Sequence, residues 1–439
     1  DSFRNQIGYV PQYDILPVTL KVEEALRYAA KLRLPADVSQ AERDERIAQA
    51  LETVDMNSER IRRTRIDKLS GGQRKRVSIA AELIADPKLF FLDEPSSGLD
   101  PGLEKKLMFT LRQMADEGRT IVLITHATAN IVQVDHVGLL SQGQLVYFGP
   151  PQAAQEFFLV DDFADIYEKI EHNGSAWKQV FTQENPSAYH EYVLERQQTQ
   201  PGQHAASQPA KTRFAPGKGL RQLWTLSQRM FRLTLSDPIA FFVALLVMPL
   251  VGILQGSASE TFEFTGDPAI LANAAQAAET LTSNYLPAVS AQIFGFGMSI
   301  LAFLVGAFGG SQELLKERSV YLRERMVNLQ LLPYLGSKFL VFGLFALAQV
   351  ALYLLILSLQ VELPENGVLF KGFLELLITL WLTVMVGVAT GLFISAVSSN
   401  STMAVYLVLV VVFFQYIFGG AIHNLRDKQI GRASCRERV

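Results

Sequence analysis

Two adjacent acids, Asp93 and Glu94, close the run "LFFLDEP", in which four apolar residues lead straight into charge. A carboxylate pair delivered at the end of a buried strand suits one acid to holding a magnesium ion and the other to activating a water. Sites of that kind work on nucleotides whose phosphates lie in a glycine-rich loop of pattern GxxxxGK[ST], and no such loop occurs in the 439 residues. A second stretch suits anions. In "LSGGQ", Ser70, Gly71, Gly72 and Gln73 open a helical run. Glycines there let backbone N–H groups approach a phosphate, the helix N-terminus favours negative charge, and Ser70 adds a hydroxyl. The same residues also make an ordinary helix cap. Ser70 precedes Asp93 by 23 residues, and His126, ending "TIVLITH", follows it by 33.

The elements carrying these residues alternate between strand and helix over residues 1–150. "NQIGYV" reads as a short strand, "KVEEALRYAAKLRLP" and "AERDERIAQALETVDM" as amphipathic helices, and "KLFFLDEP" and "TIVLITH" as strands of a parallel sheet covered on both faces. "HVGLLSQGQLVYFGP" reads as a hairpin turning near Gln142 and Gly143. The fold class is an α/β nucleotide-binding domain with a helical insertion.

Five motifs in order over about 120 residues resemble the ATPase domain of ATP-binding cassette transporters: "GYVPQYD" as Q-loop, "LSGGQRKRV" as signature, "LFFLDEP" as Walker B, "SSGLD" as D-loop and "LITHA" with the switch histidine. "QRKRVSIAAEL" and "DEPSSGLDP" are most similar to the G subfamily, the white/multidrug type of half-transporter, with its cassette ahead of its membrane domain. The resemblance implies ATP and Mg²⁺ at the site. Asp93 and Gln12 would serve the metal, Glu94 would be the general base and His126 would contact the γ-phosphate. Asp100 would communicate with a facing cassette, and Ser70, Gly71, Gly72 and Gln73 would contact the partner's ATP. It also puts the phosphate loop (Walker A) and an adenine-stacking aromatic upstream of Asp1. The chain is therefore expected to be truncated at both ends and, alone, not to bind ATP tightly.

Past the cassette, residues 151–196 keep helical spacing. Residues 197–218 read as a flexible polar linker, and 219–237, with Trp224 and Phe231 among basic residues, as an amphipathic helix on the membrane surface. Over 238–429 five apolar segments of 17–25 residues fit a hydrocarbon core: Ile239–Gln255, Val289–Gly310, Phe339–Leu359, Phe373–Val397 and Met403–Ile422. The family has six, all α-helical; the sixth and the external loop before it are expected beyond this chain. Five Lys/Arg between Ser311 and Lys338, against none and four acids between Gly256 and Ala288, put the former on the cytoplasmic side of a plasma (inner) membrane. The charged run between the second and third spans would be a coupling element, with Glu313, Glu317, Arg318 and Glu324 docking on the cassette near Gln12. Glu375 reads as snorkelling, not as a substrate residue.

The reading is an exporter subunit that works in pairs, identical or not, on hydrophobic or amphipathic substrates. Polar residues such as Gln292, Gln349 and Gln415 do not single out a substrate. A net charge of −3 points to no nucleic-acid partner, and five spans argue against a soluble cassette acting on ribosomes or DNA. A membrane-bound sensor or assembly factor is the alternative. Residues 430–439, "IGRASCRERV", resemble a translated sequencing adapter; with Cys435 set aside, no cysteine remains and no disulfide is possible within the chain.

Overall fold

The computed structural model describes residues 6–12, 15–35, 37–126, 128, 130–184, 216–259, 285–326 and 329–418. Of the expected linker over 197–218, residues 197–215 lie outside them and 216–218 begin a helix; the expected external connection over 260–284 and the adapter-like tail also lie outside them. The chain divides into two compact units, 1–215 with 323–328, and 216–322 with 329–439.

In the first unit, β1 (Ile7–Val10) precedes three helices: α1 (Val22–Arg33), α2 (Gln40–Thr53) and α3 (Glu59–Arg63). α1 buries Val22, Ala25, Leu26 and Ala30, the spacing of one helical face, and stops just ahead of Pro35. α2 and α3 begin at Ser39 and Ser58, whose side chains accept from Glu42 and Ile61 amides. Then come α4 (Gly71–Leu83), β2 (Leu89–Asp93), α5 (Pro101–Asp116) and β3 (Thr120–Ile124). β1, β2 and β3 form one parallel sheet in that order, with Val10 against Leu92 and Asp93 against Ile124.

Coverage of this sheet differs from expectation. Val10, Phe90 and Leu92 on one face are buried, but Val122 and Ile124 on the other are 41% and 59% exposed. No element among the described residues closes that second face, so an apolar run is here only half buried. β4 (Val137–Ser141) and β5 (Gln144–Gly149) form the hairpin, with Gln142 and Gly143 both at positive φ as a tight two-residue turn requires. α6 (Pro151–Phe158) and α7 (Asp165–Gln179) fold onto it around Tyr147, Phe158, Phe181 and Trp177. The extension is thus packed to the hairpin as far as Glu184.

Among its described residues the elements of the second unit are helices: α8 (Pro216–Ser236), α9 (Pro238–Ser257), α10 (Tyr285–Ser311), α11 (Glu313–Met326), α12 (Leu331–Leu357), α13 (Gly372–Val397) and α14 (Ser401–Phe418). Among the described residues five helices are long and apolar enough to cross a membrane, and they match the five apolar segments. α8 buries Leu226 and Met230, stacks Phe231 on Phe345 of α12, and leaves Trp224 exposed. α9 carries Pro249 at its centre, where the ring disrupts the helical ladder. One turn earlier the Gln349 amide donates to the Ala244 carbonyl, so this glutamine binds helix to helix. Glu375 accepts from the amides of Leu369 and Phe370 and so fixes the turn entering α13.

The tightest seam joins α10 to α13. Gly306 and Gly310 on one, and Gly387 and Gly391 on the other, each lie against the opposing main chain, so that an added Cβ would collide with the carbonyls of Val384, Val388, Phe303 and Ala307. Two GxxxG pairs interleave, and the helices touch backbone to backbone. Gly387→Ala is expected to cost about 1–3 kcal/mol because neither backbone can yield. Gly295→Ala on the same α10, where a Cβ meets nothing within 4 Å, should be neutral or slightly stabilising. Thermal unfolding of the two variants in detergent checks the contrast.

Candidate functional site

Four of the sequence-predicted residues come from the carboxyl ends of the parallel strands or the loops just past them. Asp93 is the last residue of β2 and Glu94 follows it. Glu94 adopts φ +43°, a left-handed conformation that a glutamate enters only at a cost. Its amide still donates to Ile124 O at 2.8 Å, extending the β2–β3 ladder one step. The strained turn takes the side chain off the strand axis. Its Oε2 then accepts from Gln12 Nε2 at 3.0 Å and lies 3.7 Å from His126 Nδ1. The Glu94 side chain is 29% exposed and His126 69%. One carboxylate oxygen therefore gathers the amide of the Q-loop and the imidazole past β3, on a side open to solvent.

The LSGGQ residues form a second group. Ser70 caps α4: its Oγ accepts from Gln73 N at 3.3 Å, while Gln73 Oε1 accepts from Ser70 N at 3.1 Å. The cap reading holds: this box pins the helix start, and it leaves the flank of Gly71 open, with nothing within 4 Å of a built Cβ. Gly72 faces inward, where a Cβ would come within 2.6 Å of Leu99 Cδ2. The signature turn thereby packs on the D-loop. Asp100 caps α5, its Oδ1 accepting from Leu103 N at 3.0 Å ahead of Pro101. It also sets the path of the D-loop against Gly72.

The four charged residues expected to couple the units divide. Glu313 and Glu317 are engaged inside the second unit: Lys338 Nζ lies 2.7 Å from Glu313 Oε1 and 2.5 Å from Glu317 Oε2, and Tyr334 Oη donates to Glu317 at 3.3 Å. Arg318 is exposed and Glu324 half-buried. Arg323 clusters with the first unit, its Nε 3.9 Å from Glu82 Oε1. Sequence reasoning passed over Arg323. It also passed over Lys75 and Glu82, two charged side chains buried on α4, although a lone acid inside "SIAAELIA" is a visible anomaly.

Comparison with known proteins agrees with a cassette ahead of a membrane domain. The ABC transporter family matches residues 1–97 and the ABC-2 type transporter family residues 221–429. An ABC transporter ATP-binding/permease protein of Mycobacterium tuberculosis is 33% identical over 426 residues, 96% of this chain and 46% of that protein. The broad substrate specificity ATP-binding cassette transporter of Bos taurus is 29% identical over 325 residues, 64% of this chain and 49% of that protein. Its Rattus norvegicus counterpart is 26% identical over 475 residues, 97% and 68% of the two chains. The chain spans about half the length of the first two relatives. An α/β cassette of the P-loop type followed by an all-helical ABC-2 membrane domain, with G-type transporters among its relatives, places the chain in the ATP-binding cassette transporter family.

Proposed function

We propose that the chain is part of an ATP-driven exporter of the half-transporter kind, in which hydrolysis at paired cassettes moves a hydrophobic or amphipathic solute across a bilayer. The convergence of Gln12 and His126 on the Glu94 carboxylate supports this reading best. Glu94 takes the proton of the water that attacks the γ-phosphate. Gln12 fixes the carboxylate that does so, and His126 stands where charge develops on the transferred phosphoryl group.

Mg²⁺ suits the donor set. Asp93 supplies a carboxylate at the strand end, and Gln12, donating through its nitrogen to Glu94, keeps its carbonyl oxygen for a hard cation. When bound, the ion neutralises phosphate charge. Ser70, Gly71 and Gly72 face a nucleotide held by a second, identical or different, half-transporter, with Asp100 holding the D-loop between the sites. The charge contrast between the connections before and after α10 supports a cassette on the cytoplasmic side of a plasma membrane, with α11 coupling it to the spans.

Inside-out vesicles carrying the full-length protein should accumulate a lipophilic dye when given ATP, and lose that uptake with a non-hydrolysable analogue. Hydrolysis with no uptake across a panel of lipids and dyes would replace export by the sensor or assembly role.

A further inference from the structure

Helix α4 grips the strand leading to Gln12 at two points. Lys75 Nζ donates to the carbonyls of Pro11 at 2.8 Å and Gln12 at 2.9 Å. Seven residues along, Glu82 Oε2 accepts from Tyr9 N at 3.2 Å, while its Oε1 pairs with Arg33 Nη2 at 2.5 Å. Lys75 and Glu82 are only 4% and 2% exposed. Charges so deep are retained where hydrogen-bonding partners offset the loss of water, and here backbone groups of residues 9–12 provide them. The spacing fits. Seven helical residues rise about 10.5 Å, and the three steps from Tyr9 to Gln12 in extended chain cover about 10 Å, so both grips hold without bending either element.

The two ends of this brace carry different jobs. Gln12, held by its backbone, reaches Glu94 with its side chain. Ser70, Gly71 and Gly72 stand at the start of the same helix that carries Lys75, about one turn away. We propose that Lys75 and Glu82 are positioning residues that make the Gln12 loop and the LSGGQ turn move as one body. The state of the nucleotide sensed at Gln12 is thereby passed within the chain to the residues that meet the opposite cassette's nucleotide. This rests on the two-cassette reading above.

In the assembled full-length protein, Lys75→Met removes the donor and keeps the stem, while Lys75→Arg keeps a donor. Lys75→Met should lower kcat for ATP about tenfold or more, leave KM within about twofold, and be restored largely by Lys75→Arg; a purely structural role would not produce that split or that rescue. Hydrogen exchange gives an independent reading. On trapping with ADP and beryllium fluoride, peptides covering 9–12 and 70–78 should gain protection together in the wild type, and only the first should do so in Lys75→Met. An unchanged kcat, or protection that still rises together in Lys75→Met, overturns the brace. Should Lys75→Met fail to fold, the wild-type exchange decides, since separate responses of the two peptides overturn it equally. A wild type that hydrolyses no ATP sinks the proposed function instead, so the two failures are distinguishable.

Discussion

Glu94→Gln in the full-length protein should abolish ATP turnover while leaving ATP binding in place. The change removes the basic oxygen and little else. A glutamine side chain can still accept from Gln12, and it occupies the φ +43° turn no worse than glutamate does. What disappears is the ability to take a proton, worth about 10²–10⁴ in rate for a positioned base. The strand ends and loops that carry the site should persist, so nucleotide affinity, measured by equilibrium binding of a fluorescent ATP analogue, should stay close to wild type. Steady-state hydrolysis should fall into the background. Turnover within tenfold of wild type would mean that another group takes the proton.

The second large effect lies in the helical unit. Lys338 is 2% exposed and bridges two carboxylates, Glu313 and Glu317, with the face of Tyr334 5.4 Å away. Arg229, buried on α8, adds a second positive charge felt at Glu317. Lys338→Met keeps the volume and leaves two shielded carboxylates with one fewer counter-charge. Removing one partner of a buried pair costs about 3–5 kcal/mol, mostly for the charge left behind. Thermal unfolding in detergent should show that loss, and Glu313→Gln with Glu317→Gln in the same chain should recover much of it. If Lys338→Met alone unfolds like the wild type, the cluster contributes nothing to the fold.

Much of this was legible in the chain itself, for identifiable reasons. Glu94, Gln12 and His126 sit at the ends of short apolar runs, and parallel strands collect their carboxyl ends on one side, so residues 82 and 32 positions apart meet. The hairpin was legible because Gln142 and Gly143 interrupt two alternating runs. Partner choice was not legible. Glu313 and Glu317 look like a solvated or docking face until their partner, Lys338, is found more than twenty residues on, and Lys75 meets carbonyls 63 and 64 residues back. No periodicity encodes such pairs. The open face of β2 and β3 was missed for the opposite reason: a continuous apolar run reports what a strand can bury, not what covers it. The GxxxG pairs stood in plain view at Gly306/Gly310 and Gly387/Gly391 and were simply not used.

That glycine seam limits how the helical unit can change shape. Two rods in main-chain contact over more than a turn cannot slide or roll past one another without crashing carbonyl into α-carbon. They behave as one girder in the bilayer. Any rearrangement of this helical unit has to come from tilting that girder whole, or from the looser rods beside it.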